Sequence, residues 1–261
     1  MHRSGYLETE EKLKIRIRAH TAYASVRLED WLSDWLGKAY GCRLLEIGCG
    51  DGNFFPTYAQ SLGHDGLITG FDINLELLHK ARAVAEHIET PTIVFAWDFD
   101  VHPYPLLDEE VDILIAPFSA YYTNDVSGWV DDSLRVTKKK GRLLLLGPTR
   151  DNAHELYELN ETVTGIGTVP ETDETSTKLE DTFLPELQER LSGRVKTIIL
   201  DRNIVFPDAE SFAEYYFATW LYEKTLERLK KPVEFESVLR AAQRTSLKLS
   251  KRIVCIEARK T

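Results

Sequence analysis

Apolar positions change their spacing along the chain. Between residues 28 and 36 they recur at three and four (Leu28, Trp31, Leu32, Trp35, Leu36), which is one face of a helix. From Cys42 onward, short apolar runs alternate with longer amphipathic stretches. The runs are Arg43 to Ile47, Leu67 to Phe71, Thr92 to Ala96, Val111 to Ala116 and Arg142 to Leu146. Between them lie Phe54 to Leu62, Leu75 to His87 and Val126 to Thr137, each long enough for a crossover helix. Strand alternating with helix predicts an α/β protein with a parallel sheet built from βαβ units. Beyond Gly147 the regularity weakens. Residues 151–191 read as a helix, a polar Thr/Glu/Asp-rich loop from Gly165 to Lys178, and a second helix. This stretch is expected to be an insertion over the sheet's working edge, its loop either a lid or poorly ordered. A strand from Val195 to Leu200, aromatic-rich helices from Asp208 to Leu229, a helix from Glu234 and a strand from Arg252 to Ala258 follow.

The most informative segment is Leu44-Leu45-Glu46-Ile47-Gly48-Cys49-Gly50-Asp51-Gly52-Asn53-Phe54, a buried strand entering a glycine-rich turn and then a helix. Glycines there let the backbone turn sharply and let a ligand approach. A dinucleotide fingerprint starting at Gly48 needs a glycine at position 53, where this chain has Asn53. Glu46 also precedes the turn where an anionic pyrophosphate would lie, and no basic residue follows within the loop. Both observations disfavour a nicotinamide-dependent oxidoreductase and favour a cationic ligand.

Composition narrows the classes further. The 261 residues are 43% hydrophobic and 28% charged, an ordinary globular balance for one domain with a sizeable core, with or without a cap. With 32 basic against 42 acidic residues the net charge is -10, which argues against a long phosphate track and hence against a nucleic-acid partner. No stretch approaches 18 consecutive apolar residues and the N-terminal residues are polar, so a cytoplasmic protein with no membrane partner is expected. Cys42, Cys49 and Cys255 form no metal or disulfide spacing. Asp98, Asp100 and His102 fall short of a metal-ligand set, so no metal is expected, and Lys138-Lys139-Lys140 reads as a solvated turn before a strand.

The pattern E-x-G-x-G-x-G at Glu46, Gly48, Gly50 and Gly52 resembles motif I of the class I S-adenosylmethionine-dependent methyltransferases. Asp72, twenty residues past Gly52, stands where that family uses an acid for both ribose hydroxyls. Asp98 resembles the family's adenine-contacting acid, with Phe99 as a flank to the ring, and Ala116-Pro117-Phe118 stands where relatives run backbone along the methionine portion. The resemblance covers about residues 42–148 and is weaker elsewhere.

It implies a doubly wound, Rossmann-like, mostly parallel seven-stranded sheet with helices on both faces, an N-terminal helical lid and an inserted helical cap. Residues 1–40 would be the lid and 41–261 the methyltransferase domain, with cap insertions at about 149–192 and 207–247. It implies S-adenosyl-L-methionine as cofactor and S-adenosyl-L-homocysteine as product. The cofactor would be held by Glu46, Gly48, Cys49 through its backbone, Gly50, Gly52, Asp72, Ile73, Asp98, Phe99 and Ala116. The substrate-side candidates are Tyr23, Phe118, Tyr121, Tyr122 and Tyr215, with His154 as general base. Acidic charge and an aromatic-rich cap (Phe212, Tyr215, Tyr216, Phe217, Trp220) favour methyl transfer to an oxygen or nitrogen of a small-molecule acceptor. The alternatives are a tRNA or protein methyltransferase and a non-catalytic S-adenosylmethionine-binding module. A homodimer stays open as the assembly.

Overall fold

The computed structural model describes residues 10–261. Residues 1–9, part of the segment read above as a lid, lie outside the described residues. The elements in chain order are α1 (Glu10–Ala22), α2 (Leu28–Leu36), β1 (Arg43–Ile47), α3 (Phe55–Leu62), β2 (Leu67–Asp72), α4 (Leu75–Ala85), β3 (Thr92–Ala96), β4 (Val111–Pro117), α5 (Val126–Val136), β5 (Thr137–Pro148), α6 (His154–Thr164), α7 (Pro170–Lys178), α8 (Leu184–Arg190), β6 (Val195–Val205), α9 (Ala209–Phe217), α10 (Trp220–Leu229), α11 (Phe235–Ala242) and β7 (Lys248–Arg259). They group into two units. One holds residues up to Arg27, Arg150–Ser176 and Asp201–Arg252; the other holds Leu28–Thr149, Thr177–Leu200 and Ile253–Thr261.

The second of these units carries most of the sheet, whose strand order is β3-β2-β1-β4-β5-β7-β6. β1 pairs in parallel with β2 and β4, β2 with β3 and β4 with β5, whereas β7 runs antiparallel to β5. The strand order therefore reverses between β1 and β4. In open α/β sheets ligands bind outside the carboxyl ends of the strands at that reversal. The register sets Glu46 beside Gly70 on one side and Ile115 on the other, so the glycine loop starts at the reversal. Leu45, Ile47, Phe71, Leu114, Leu143 and Leu145 point from the sheet into a core closed by Trp129 of α5 and by Phe183, whose rings meet edge-on at 5.2 Å. The side-chain alternation of a strand sends Leu44 and Glu46 to the opposite face. Asn74 starts α4 by accepting bonds from the backbone N–H of Glu76 and Leu77, and Asp125 starts α5 through Gly128. The last carbonyls of α2, on Trp35 and Leu36, accept from the Arg142 guanidinium at 2.9 and 3.0 Å, and Arg142 also pairs with Glu257 at 3.1 Å.

The other unit is mainly helical. Its core is aromatic: Phe206 meets Phe212 and Tyr215 edge-on at 5.1 and 5.3 Å, and Phe212, Tyr215 and Tyr216 are all buried. These side chains of the expected aromatic cap are thus the unit's own core, and they supply no argument for an apolar acceptor.

Two sequence expectations are corrected. The polar loop expected from Gly165 to Lys178 is largely the helix α7. Pro170 and the acids Glu171 and Asp173 suit its first turn, Thr175 and Ser176 return their hydroxyls to the carbonyls of Glu171 and Thr172, and Arg228 pairs with Glu171. Its low apolar content concealed it, because only Thr172 of the helix is buried. The lysines expected in a solvated turn lie within β5, where Lys138 bonds both Asp112 oxygens at 2.8 and 2.9 Å.

Candidate functional site

The glycine loop is held from beneath. Gly48 and Cys49 donate their backbone N–H groups to the carbonyl of Phe71, at 2.9 and 3.0 Å, which ties the end of β1 to β2. Gly48 sits at φ +72°, and a Cβ there would lie 2.4 Å from Cβ of Ser119. Ser119 in turn donates its hydroxyl to the carbonyl of Ile47. A glycine is required at this crossing on both counts. Gly52, at φ +76°, is required by the Phe55 ring, which a Cβ would meet at 2.8 Å. Cys49 is buried, and burial first, then the nearby Glu46 and Asp72 carboxylates, push its thiol well up, which favours the protonated, unreactive form.

Asp72, at the last position of β2, is clamped between the loop and α4. Its Oδ2 accepts from Gly50 N–H at 2.9 Å and its Oδ1 from Asn74 N–H at 2.8 Å. A carboxylate oxygen accepts more than one bond, so both oxygens keep acceptor capacity for a ligand diol. Next to it a cavity of about 280 Å³ is lined by Ile73, Ala96, Trp97, Asp98 and Val101. Trp97 is fixed as a wall by its indole N–H, which donates to the Val101 carbonyl at 2.9 Å. Asp98 Oδ1 accepts from Asp100 N–H, which shapes the turn below that wall.

Phe99 is buried in the sheet core, and the aromatic face of the cavity belongs to Trp97. Ala116 is fully buried in β4 opposite Leu145. Phe118, just past β4, is held at φ +56°, a strained conformation for a bulky residue, with its N–H on the Leu146 carbonyl. Tyr121 and Tyr122 follow in a short 3-10 turn with ring centroids 4.6 Å apart, Tyr121 packed over Gly147 and Tyr122 exposed. In the helical unit, Tyr23 faces the Phe206 ring at 5.8 Å, and Tyr215 is a core residue whose hydroxyl meets His20 Nε2 at 3.2 Å. Arg202 donates to His20 Nδ1, so that nitrogen is the acceptor and Nε2 carries the hydrogen given to Tyr215. His154 begins α6 with its side chain about half exposed, 3.6 Å from Glu155. Ser119, Trp97 and Val101 escaped the sequence reading. For Trp97 the signal was its place directly after β3; for Ser119 there was none, since its role is a contact with Gly48 across two strands.

Glu46 is 1% exposed. Burial drives its carboxyl well above the usual range, and Asp72 and Asp51 push it the same way. The buried Tyr58 hydroxyl lies beside it and, by hydrogen bonding to the carboxyl, pulls it part of the way back down. The Asp72 and Asp51 carboxylates and the Glu46 carboxyl thus converge on a loop that, among the described residues, holds no basic side chain of its own. S-adenosylmethionine, which carries an ammonium and a sulfonium and no phosphate, fits that electrostatic demand, and an anionic pyrophosphate does not.

Comparison with known proteins agrees. Residues 45–145 match the family model described as a methyltransferase domain. The chain is 31% identical over 124 residues to 27-O-demethylrifamycin SV methyltransferase of Amycolatopsis mediterranei, covering 47% of this chain and 44% of that one. It is 23% identical over 199 residues to a 2-phytyl-1,4-naphtoquinone methyltransferase of a Nostoc species, covering 71% and 86%. It spans 36%, 44% and 51% of the length of three curated relatives that it matches. Among solved structures, the YcgJ protein of Bacillus subtilis has the same fold, with a TM-score of 0.55 at 16% identity, covering 89% of this chain and 97% of that one. The match to a methyltransferase domain thus falls on residues 45–145, the segment that holds the glycine loop and Asp72.

Proposed function

We propose that this chain binds S-adenosylmethionine at the glycine loop and transfers a methyl group to an oxygen or nitrogen of a small-molecule acceptor. The observation that carries the first half is the Asp72 carboxylate, clamped between Gly50 and Asn74 beside a cavity walled by Trp97 and Asp98. Asp72 would take the ribose hydroxyls, the cavity the adenine, and the backbone of Gly48 and Gly50 the methionine portion. The bound cofactor supplies a methyl group on a positively charged sulfur, a leaving group already activated. The chain's own residues then need chiefly to align acceptor and methyl and to exclude water. Support for a small acceptor comes from the relatives, whose names give a rifamycin and a phytylnaphthoquinone as substrates. His154 is the side chain proposed to take the acceptor's proton, by residue type.

The test is incubation with methyl-labelled cofactor and fractionated cell extract. Label in low-mass species is expected. Label confined to RNA or protein would overturn the small-molecule reading and leave the cofactor reading intact.

A further inference from the structure

The far end of the sheet holds a second concave feature. β5 runs parallel to β1 through β4, so its first residues lie at the end opposite the glycine loop, and antiparallel β7 brings its last residues to the same end. There a concavity of about 440 Å³ is lined by Lys140, Arg194, Lys196, Glu257, Arg259 and Lys260. We propose that it is a binding site for an oligophosphate, a small molecule carrying two or more linked phosphates. The inference is independent of the methyltransferase reading.

The charge balance carries the argument. Five cations face one carboxylate in a chain whose net charge is -10. Glu257 is already shared between Arg142, at 3.1 Å, and Arg259, at 3.0 Å. Lys260 gives its ammonium to the Thr137 carbonyl at 2.7 Å and lies 3.4 Å from Glu109. Lys140, Arg194 and Lys196 have no ion pair among the described residues. Placing like charges together is unfavourable unless a counter-charge joins them. A single phosphate brings about -1.5 to -2 at neutral pH, too little for the group, whereas linked phosphates match it.

The walls are also built. The cations come from three separate segments, the start of β5, the approach to β6 and the end of β7. Backbone bonds lock these together: Lys140 N–H to Lys260 O at 3.0 Å, Lys260 N–H to Gly141 O at 3.1 Å, and Arg259 N–H to Arg194 O at 3.1 Å. Lys140 is held at φ +66°, a conformation that costs energy for a residue with a side chain. Arginine adds a planar fork suited to phosphate oxygens. A compact concavity fits a small ligand better than a polynucleotide, which needs an extended basic track.

The test is calorimetric titration of the full chain at low salt with tripolyphosphate, ATP, orthophosphate and a single-stranded oligonucleotide. The same series is run on the double variant Arg194→Ala, Lys196→Ala, with thermal unfolding as the folding control. Expected are saturable one-to-one binding of tripolyphosphate, at least tenfold weaker binding of orthophosphate, and at least tenfold weakening of tripolyphosphate in a double variant that melts like the parent. ATP binding as tightly as tripolyphosphate would identify nucleotides as a source of the ligand. No saturable tripolyphosphate binding, binding unchanged in the folded double variant, or tighter binding of the oligonucleotide would overturn the proposal.

Discussion

Replacing Gly48 with alanine should disable the loop far more than the same change at Gly50, although both glycines have positive φ. At Gly50, φ is +54° and an added Cβ meets nothing within 4 Å. The cost there is the left-handed conformation alone, about 1–2 kcal/mol, offset by about 0.4–1 kcal/mol from the stiffer unfolded chain. The net is about 1 kcal/mol. At Gly48, φ is +72° and the Cβ would lie 2.4 Å from Ser119 Cβ and 3.0 Å from its Oγ. Ser119 is not free to retreat, because its hydroxyl is on the Ile47 carbonyl and its backbone begins the turn after Phe118. Overpacking of this kind adds about 1–3 kcal/mol, so Gly48→Ala should cost about 2–4 kcal/mol in total. Guanidinium unfolding of the two variants measures the difference. Gly48→Ala paired with Ser119→Gly should recover the clash component but not the φ component. Equal stabilities for Gly48→Ala and Gly50→Ala would refute the reasoning, since the two differ in the Ser119 contact.

Two pH dependences follow from buried groups of opposite sign. Glu46 has a folded pKa raised by burial above its ordinary 4.5, so the folded chain holds this proton more tightly and stability falls as pH rises from 4.5. Glu46→Gln should therefore gain stability relative to the parent as pH increases, read by denaturant titration at pH 5 and pH 8; a gap constant with pH would contradict this. His20 has a folded pKa lowered well below 6.5 by burial first, then by Lys251, Arg202 and Arg16. Its neutral form is a stability contribution present above pH 6.5 and lost as pH falls below it. Thermal melts of His20→Asn should lack that acid-side decline, and a decline identical to the parent's would show that another group causes it.

Most of the cofactor half was legible in the sequence because it rests on backbone demands that only certain residues meet. Gly48 and Gly52 sit at steric crossings and Asp72 ends a short apolar run, the positions to which motif spacing and the family resemblance together pointed. The seven strands were visible as apolar runs, although β6 and β7 extend beyond them, since polar residues such as Arg202 and Lys251 occupy the added length. What failed was anything decided by packing across the chain. Helix α7 is nearly all polar, so no apolar period marked it. Phe99 and Trp97 are neighbouring aromatics two residues apart, and which one faces the cavity depends on how the chain turns after β3. Tyr215 carried the residue type of a pocket lining but is core, paired with a histidine 195 positions away. Glu46 was legible as a binding-loop acid; its burial beside Tyr58 was not.

Calorimetric titration with S-adenosylhomocysteine, comparing the parent chain with Asp72→Asn and Asp72→Ala, bears most directly on the central claim. The carboxylate bonds to the ribose should be worth about 1.5–3 kcal/mol, which is tenfold or more in affinity. The account predicts saturable one-to-one binding by the parent, at least tenfold weaker binding by Asp72→Asn, and still weaker binding by Asp72→Ala, which also releases the Gly50 and Asn74 N–H groups. A folded parent that fails to bind, or variants that bind within twofold of it, would contradict the assignment of the glycine loop and Asp72 to the cofactor.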